Sequence, residues 1–195
     1  MSKEFPKMDN INNDFIENTQ KPFLEIIERE PYTPQELEKR EETLSERKKF
    51  SNEVCSKYKK GDTFNFSVEK RSSQMTSSPR YTIILDGAEI GYFTIGTGED
   101  DQDRIFTEVS LNENIQRKGL GKQLYISLNE YLKKNEGSIL KQSYQTGDAS
   151  NGVWLSLFKE GLVEVMPENS PHGYEIPWMP NEFLPKGAKL YRFKK

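Results

Sequence analysis

A basic, glycine-containing turn, Gln116-Arg117-Lys118-Gly119-Leu120-Gly121-Lys122, has the residue types needed to bind an anion. It follows an alternating strand over 105–111 and precedes a helix whose apolar residues recur on one face as far as residue 132. The first N–H groups of a helix are unpaired and carry the positive end of its dipole, so this position suits a phosphate or pyrophosphate. The two glycines allow the backbone to approach such a group closely. Mobile positive charge is expected from Arg117, Lys118 and Lys122.

The spacing Gln116-x-x-Gly119-x-Gly121 resembles the Q/R-x-x-G-x-G/A signature of the GNAT superfamily, which are acetyl-CoA-dependent N-acetyltransferases. The resemblance implies that acetyl-CoA is the co-substrate and that residues 116–122 hold its pyrophosphate. It also implies that the pantetheine pairs with the main chain of the preceding strand, at Val109, Ser110 and Leu111. The alternative is a tight strand-to-helix turn with solvated basic residues. A P-loop is disfavoured, because Gln116 stands where that motif requires a glycine.

A second segment resembles the same superfamily. Its members commonly have an asparagine that opens a short helix ending in a glycine–apolar step, and Asn151 with Gly161-Leu162 follows this pattern one residue short. Asn151 is therefore a further predicted cofactor contact. The resemblance extends from Gly61 to the C terminus, which divides the chain into an N-terminal arm and helical extension, 1–60, and an acetyltransferase-like domain, 61–195. The superfamily usually places two helices between its first two strands, whereas here the long helix precedes every clear strand.

Composition excludes several classes of protein. The 195 residues carry a net charge of −3 and have a pI of about 5.5, so no nucleic-acid partner is indicated. Cys55 is the single cysteine, which rules out an internal disulfide. We find no apolar run long enough to span a membrane and no secretory signal in the first residues, so the expected location is the cytoplasm, or a host cytosol after delivery.

The N-terminal third is predicted to be helical. Residues 23–27 form an apolar cluster that favours one or two helical turns. Thr33, Pro34 and Glu36 form a capping box that starts a helix over 34–58. That helix is interpreted as a surface helix with much of its circumference in water, or alternatively as a dimer or partner interface. Cys55 lies on its apolar side and is expected to be packed rather than reactive.

The remaining pattern predicts a mixed α/β sheet. Antiparallel strands are expected at 63–68, 81–85, 89–95 and 105–111, with a hairpin turn at Asp86-Gly87. A strand at 139–144 should lie parallel to 105–111 after the helical crossover. A short helix over 152–159, a strand near 161–166, a long proline-rich excursion and a strand at 190–193 complete the chain. The predicted fold class is GNAT-like: mostly antiparallel, with a central parallel pair that splays to admit acetyl-CoA.

Candidate general bases lie on the central strand. Lysine-acetylating members of the superfamily have a glutamate early in this strand, where this chain has Ile105. The nearby carboxylates are Asp103 and Glu108. Strict alternation places Asp103 on the same face as Val109 and Leu111, and it places Glu108 on the other face unless a bulge intervenes. A water chain or a neutral amine would make a base unnecessary.

The general acid and the acceptor site are less defined. Many members have a tyrosine seven residues after the asparagine, but that position holds Phe158, and Tyr144 and Ser156 are the substitutes. His172, the single histidine, is interpreted as a packing or solvent-facing residue, and no Cys/His spacing predicts a metal site. Tyr174 and Trp178 are predicted to line the acceptor site, or else to pin a long loop to the sheet.

The sequence therefore predicts an N-acetyltransferase acting on a primary amine, with a peptide or protein amine slightly preferred over a polyamine or antibiotic. Two alternatives remain. Phe158 and Ile105 favour a protein that binds acetyl-CoA without turnover. The helix over 34–58 favours an interaction module.

Overall fold

The structure is a computed structural model that describes residues 24–72, 79–97, 103–142, 148–166 and 190–194. The described part contains eight strands and four helices in one sheet-centred arrangement. In chain order they are β1 (Glu25–Arg29), α1 (Pro34–Glu42), α2 (Leu44–Lys57), β2 (Phe66–Arg71), β3 (Arg80–Leu85), β4 (Ala88–Thr97), β5 (Asp103–Leu111), α3 (Leu120–Glu136), β6 (Ile139–Lys141), α4 (Asp148–Lys159), β7 (Val163–Val165) and β8 (Tyr191–Phe193).

The strands form one mixed sheet in the order β1-β2-β3-β4-β5-β6-β8-β7. The pairs β1–β2 and β5–β6 are parallel, and the other pairs are antiparallel. The predicted mostly antiparallel sheet with a central parallel pair is therefore confirmed. Helix α3 makes the crossover between β5 and β6, as a parallel connection requires.

Local turn chemistry fixes the β3–β4 hairpin. Asp86 and Gly87 have φ angles of 48° and 76°, which are the left-handed conformations of a type I′ turn. Asp86 Oδ2 also accepts a hydrogen bond from the Tyr58 hydroxyl at 2.9 Å. The predicted Asp-Gly turn is confirmed.

A continuous row of aromatic rings joins the sheet to the helices on one face. Tyr81 stacks on Phe93, and Phe93 meets Phe106 edge-on. The row continues from Phe106 through Tyr125 of α3 and Trp154 of α4 to Phe193 of β8, with centroid separations of 4.5, 5.2 and 5.8 Å. Such ring pairs stabilise the fold by more than the burial of their apolar area alone would. The row holds α3 and α4 against the half of the sheet where β5 and β6 separate.

Residues 23–27 do not form the predicted helical turns. Residues 25–29 form β1, which extends the sheet beside β2, with Ile26 opposite Val68. Ile26 is half-buried against the core, and its β-branched side chain fits this half-buried position on an edge strand. The next strand is also displaced from its predicted position: Phe64 is buried but precedes β2, which spans 66–71 rather than 63–68. The division of the chain at residue 60 remains a prediction.

The helix predicted over 34–58 is two helices. The capping box is confirmed, since Thr33 Oγ1 accepts from the Glu36 amide and the Glu36 carboxylate accepts from the Thr33 amide. The break occurs at Thr43, whose hydroxyl donates to the Lys39 carbonyl at 2.9 Å and competes with the helical bonds. Cys55 is fully buried and burial raises the pKa of its thiol, so its predicted packing role is confirmed. No helix of the described residues is long and apolar enough to cross a membrane.

One carboxylate docks both helices on the sheet. Glu89 of β4 accepts two hydrogen bonds of 2.8 Å from the Arg40 guanidinium, and Arg47 donates to the same carboxylate. Burial by itself raises the pKa of Glu89, but the bonds from Arg40 and the charges of Arg40 and Arg47 outweigh it, so the net shift is downward. Because the Arg40–Glu89 pair is bidentate, it fixes the relative orientation of the two side chains in addition to pairing their charges.

We expect Glu89→Gln to lower the free energy of unfolding by about 2 kcal/mol, because hydrogen bonds to charged groups contribute about 1.5–3 kcal/mol. A lowered folded-state pKa means that the stabilisation is present above the unfolded-state pKa and is lost as pH falls through the folded-state pKa. The acid-side decline in stability should therefore be shallower in the variant. Urea unfolding between pH 3 and 7 measures both effects. Glu38→Gln, at an exposed position of α1, is the matched control. Equal losses in the two variants would contradict the docking role.

Candidate functional site

Strands β5 and β6 are paired over only part of β5. The register runs Asp103 with Ile139, Arg104 with Leu140 and Ile105 with Lys141, while β5 continues to Leu111. At the paired end, buried Asp103 and Lys141 form an ion pair, and the Asn129 side chain accepts from the Leu140 amide at 3.0 Å. Within the part of the chain that the structure describes, the last six residues of β5 have no strand partner on the β6 side. The central pair is thus closed at one end and open at the other.

Gln142 directs the chain away from β5 directly after the last paired residue. Its amide donates to the Tyr191 carbonyl at 2.9 Å, and its Oε1 accepts from the Tyr191 amide at 3.2 Å. Its Nε2 donates to Asn151 Oδ1 at 2.6 Å. These bonds tie the end of β6 to β8 and α4. The opening beside β5 therefore has a specific cause in the buried side chain of one residue.

The open half of β5 presents unpaired main-chain groups. The Asn112 amide bonds the Ile90 carbonyl of β4 at 2.7 Å, so alternation directs the groups of Ser110 toward β4 and those of Val109 and Leu111 toward the opening. Gln116 Nε2 donates to the Leu111 carbonyl at 2.9 Å. The N–H and C=O of Val109 and the N–H of Leu111 therefore face the gap. Gln116 shapes the turn by this bond.

The turn after β5 ends at the N terminus of α3 with a set of free amides. The first bond of this helix is from the Gln123 amide to the Gly119 carbonyl at 3.2 Å. No described residue accepts from the amides of Arg117, Gly119, Leu120, Gly121 and Lys122. The first turn of α3 contains no acidic residue and has no side-chain cap. Five N–H groups and the helix dipole therefore favour an anion here.

The three predicted cations differ in their surroundings. Lys118 Nζ donates to the Cys55 carbonyl at the end of α2, at 3.1 Å, so its ammonium is committed to the scaffold. Lys122 Nζ bonds Glu160 Oε1 at 2.5 Å, and Ser156 donates to the same oxygen. Arg117 is exposed, has a positive φ of 60°, and makes no contact with another described side chain. The expectation of three mobile cations is therefore wrong for Lys118 and Lys122.

The two glycines of the turn serve different needs. Gly119 has a φ of 112°, a conformation that other residues rarely adopt. Gly121 has ordinary helical geometry, and a Cβ placed there would lie 3.5 Å from Val153 Cγ2 and 4.0 Å from Leu111 Cδ1, which are normal contacts. The protein itself does not require a glycine at 121. Leu111, Gly121 and Val153 meet at this point, so the free amides lie beside the open end of β5.

A β-bulge on β5 settles which face each carboxylate occupies. Thr94 pairs with Glu108 and Ile95 pairs with Phe106, which leaves Thr107 as the extra residue. Asp103 and Glu108 consequently share a face, opposite the face of Val109 and Leu111, so the strict alternation predicted for Asp103 is wrong. Asp103 is buried in its ion pair with Lys141. Glu108 is exposed, on the face of the sheet away from α3.

Tyr92 holds the Glu108 carboxylate. The Tyr92 hydroxyl donates to Glu108 Oε1 at 2.5 Å. This bond, followed by burial, raises the pKa of Tyr92, so the phenol stays protonated at neutral pH. Tyr92 could not be predicted as a site residue, because its only signal is its position on the neighbouring strand, and the register of the two strands cannot be read from the sequence.

Several other predicted residues have defined places. Asn151 is the fourth residue of α4 rather than the residue that opens it, since α4 begins at Asp148, and its side chain is bonded to Gln142. Phe158 is 43% exposed and packs on Tyr191 with a centroid separation of 5.2 Å. Tyr144, Tyr174, Trp178 and His172 lie outside the described residues. Among the described residues, no group of three or more His, Cys, Asp or Glu side chains could hold a metal ion.

The sequence matches no protein-family model and no curated protein. Solved structures that are similar to the chain include three acetyltransferases. They are a GNAT-family acetyltransferase from Staphylococcus aureus (9% identity, TM-score 0.37, 60% of this chain and 66% of that one), an acetyltransferase from Bacillus subtilis in complex with CoA (20%, 0.40, 59% and 74%), and the ribosomal-protein-S18-alanine N-acetyltransferase from Escherichia coli (14%, 0.36, 61% and 68%).

The matched part ranges from 52% to 78% of the length of the similar chains. The similar structures are acetyltransferases, and several contain CoA or acetyl-CoA. Identities of 9–20% and TM-scores of 0.35–0.40 are low. For that reason, the function is inferred below from contacts within this chain.

We expect Gly121→Ala to leave the fold intact, with about 0.5 kcal/mol more stability because alanine favours helix over glycine. The added Cβ should reduce the affinity for coenzyme A at least about tenfold, since it would occupy the space where a diphosphate approaches the amides. Calorimetric titration with coenzyme A measures the affinity, and thermal unfolding measures the stability. Gly152→Ala in α4, where a Cβ meets nothing within 4 Å, is the matched control. Unchanged affinity in Gly121→Ala would contradict the anion site.

Proposed function

We propose that this protein is an acetyl-CoA-dependent N-acetyltransferase that transfers an acetyl group to a primary amine. One observation carries the proposal: among the described residues, the half of β5 without a β6 partner leads directly to five amides that have no acceptor, before and within the first turn of α3. Acetyl-CoA would supply the acetyl group as a thioester. A diphosphate and an extended amide-bearing chain are the two features of that molecule that these backbone groups fit.

Residues of this chain would hold the co-substrate mainly through the backbone. The amides of 117 and 119–122 and the exposed Arg117 guanidinium would bind the diphosphate. The groups of Val109 and Leu111 that face the opening would hydrogen-bond an extended chain in the manner of an added strand. The same N–H groups can stabilise negative charge that develops on a carbonyl oxygen. Ser110 would make no main-chain hydrogen bond to the co-substrate, because its N–H and C=O point toward β4.

Glu108 is the proposed general base. A primary amine is largely protonated at neutral pH and must lose a proton before it can attack a carbonyl. Glu108 is exposed, lies on the strand that would bind the co-substrate, and is oriented by the Tyr92 hydroxyl. Asp103 is less suited, because its carboxylate is buried and neutralised by Lys141. The roles suggested for Tyr144, Tyr174 and Trp178 remain predictions.

The amine would approach from the face opposite α3 and α4. Glu108 and Tyr92 lie on the face away from α3, whereas Gly121 and Leu111 meet α4 on the α3 side. Acceptor and diphosphate would therefore bind on opposite faces and meet at the opening beside β5. The exposed, polar area around Glu108 suits a peptide or protein amine, which we keep as the preferred acceptor class.

Two alternatives have an observation in their favour. Phe158 cannot donate a proton and Ile105 cannot accept one, which supports a protein that binds acetyl-CoA without turnover. Separately, Leu37, Leu44 and Phe50 are about half exposed on α1 and α2, with 49%, 61% and 47% of their surface accessible. This supports partner binding or homodimerisation through 34–58. Thiol release from acetyl-CoA with a panel of primary amines separates transfer from binding alone.

We expect Glu108→Gln to lower kcat by about a hundredfold or more, since positioned general bases contribute about 10²–10⁴-fold. Affinity for coenzyme A should not change, because the Glu108 side chain lies on the face away from α3. The measurement is thiol release at saturating acetyl-CoA, with calorimetry for binding. Glu130→Gln, on an exposed position of α3, is the control. A kcat within threefold of the unsubstituted protein would remove Glu108 from the mechanism without affecting the proposed transfer.

A further inference from the structure

Arg80 is an exposed arginine that forms no ion pair with a carboxylate of the described residues. Its guanidinium lies 3.7 Å from the centroid of the Tyr92 ring, and this is its one contact through ring, hydrogen bond or ion pair with the described residues. A guanidinium over an aromatic face is held in position while its N–H groups stay available. Arg80 is thus oriented by the same tyrosine that orients Glu108.

A second arginine lies beside Arg80 on the neighbouring strand. The register places Arg71 directly opposite Arg80, and like charges in that arrangement are unfavourable. Arg71 bonds Glu69 at 3.1 Å and the Glu30 carbonyl at 2.8 Å, and Arg29 shares the Glu69 carboxylate at 3.3 Å. The Glu69 carboxylate is therefore shared by two arginines. Glu89 lies further along the sheet and is bound by Arg40 and Arg47, and the charge of Arg80 also helps to lower its pKa. An anion beside Arg80 would relieve the repulsion between Arg71 and Arg80.

Arg80, Tyr92 and Glu108 form a strip of opposite charges across three strands. Arg80 pairs with Thr94, and Thr94 pairs with Glu108, so the two charged residues lie two strands apart on one face. The Tyr92 ring lies between them, with Arg80 over its face and Glu108 bonded to its hydroxyl. Glu108 uses one oxygen for that bond, and a carboxylate can accept several more. The strip therefore offers an acceptor for an ammonium at one end and a donor for a carboxylate at the other.

We infer that Arg80 is a specificity-determining residue, and that the acceptor is an amine with a carboxylate a few bonds away. A free α-amino acid has this arrangement, and so does a peptide whose first residue is acidic. The amine binds beside Glu108, and the carboxylate takes a bidentate bond from Arg80. This rests on the proposed function, because it assigns the acceptor of that same site.

Matched acceptors test the inference. Leucine and leucinamide have the same amine and side chain and differ in the carboxylate. Peptides that begin with aspartate or with asparagine make the same comparison for a peptide acceptor, so the two pairs distinguish the two sources of the carboxylate. We expect kcat/KM to favour the acid of at least one pair about tenfold or more. In Arg80→Gln, KM for the acid should rise until the preference is lost, while kcat with the amide or asparagine partner stays within threefold.

Arg29→Gln is the matched control, since Arg29 is an exposed arginine of the same row whose partner is Glu69. It should keep the preference. Equal kcat/KM for acid and uncharged partner in both pairs would overturn the inference, as would equal losses with both partners in Arg80→Gln. Either result leaves the proposed acetyl transfer in place.

A binding measurement separates this inference from the proposed function. Calorimetry with leucine, leucinamide and the two peptides, at saturating coenzyme A, needs no turnover. Tighter binding of an acid that disappears in Arg80→Gln, together with no thiol release from acetyl-CoA with any acceptor, would support the carboxylate site and overturn the transferase. Acetyl transfer without any acid preference in binding or in rate would support the transferase and overturn the carboxylate site.

Discussion

The separation of β5 from β6 after Ile105 and Lys141 is the constraint on which the site depends. Two parallel strands that stay paired bury their main-chain groups in each other, and nothing else can bind there. Here the pair is fixed at one end by the buried Asp103–Lys141 contact and is released at the other by Gln142. Because Gln142 satisfies its own bonds with β8 and α4, the polar groups left unpaired among the described residues of this opening are those of β5. A ligand with amide groups would restore those bonds.

Helix α2 also supports the candidate site. The Asn112 side chain bonds Ser51 and Asn52 of α2, each at 2.8 Å, and the Lys118 ammonium bonds the end of that helix. The Gly61 amide donates a hydrogen bond to the Lys118 carbonyl at 3.2 Å. The turn that presents the free amides is therefore braced at both ends by α2. Helix α2 belongs to the segment that was predicted to be a surface helix or a partner interface. Its contacts give it a second role, which is to hold this turn in place.

Features that are determined by a few neighbouring residues could be predicted from the sequence. The Asp86-Gly87 turn, the Thr33 capping box and the glycine turn at 119–121 each carry their information within a few residues, and each formed as expected. The face of Asp103 could not be predicted, because one extra residue at Thr107 inverts the alternation between Asp103 and Val109. The strand at 25–29 was missed for a related reason: its pairing with β2 is parallel and joins residues about forty positions apart.

The site residues divide in the same way. Those that act through the backbone could be placed from the motif, because a turn between a strand and a helix has few possible geometries. Those that act through side chains depend on which strands are neighbours, and so Tyr92 and Arg80 carried no signal. Gln142 was equally invisible, since a lone glutamine after a strand has no pattern of its own until β8 and α4 are packed around it.

The proposed site is formed mainly by the main chain, so it does not depend on the side chains of Phe158 and Ile105. Neither side chain can donate or accept a proton, and neither alters the main-chain groups of β5. The Thr107 bulge puts Glu108 on the same face as Ile105, which is the proposed acceptor face, so a carboxylate is available on that strand. Its partner Tyr92 has a raised pKa and keeps its proton at neutral pH, so the carboxylate rather than the phenol is the group able to accept a proton from an amine. The chemistry that this face supports is therefore set by the bulge. With strict alternation from Phe106, Thr107 rather than Glu108 would occupy this face.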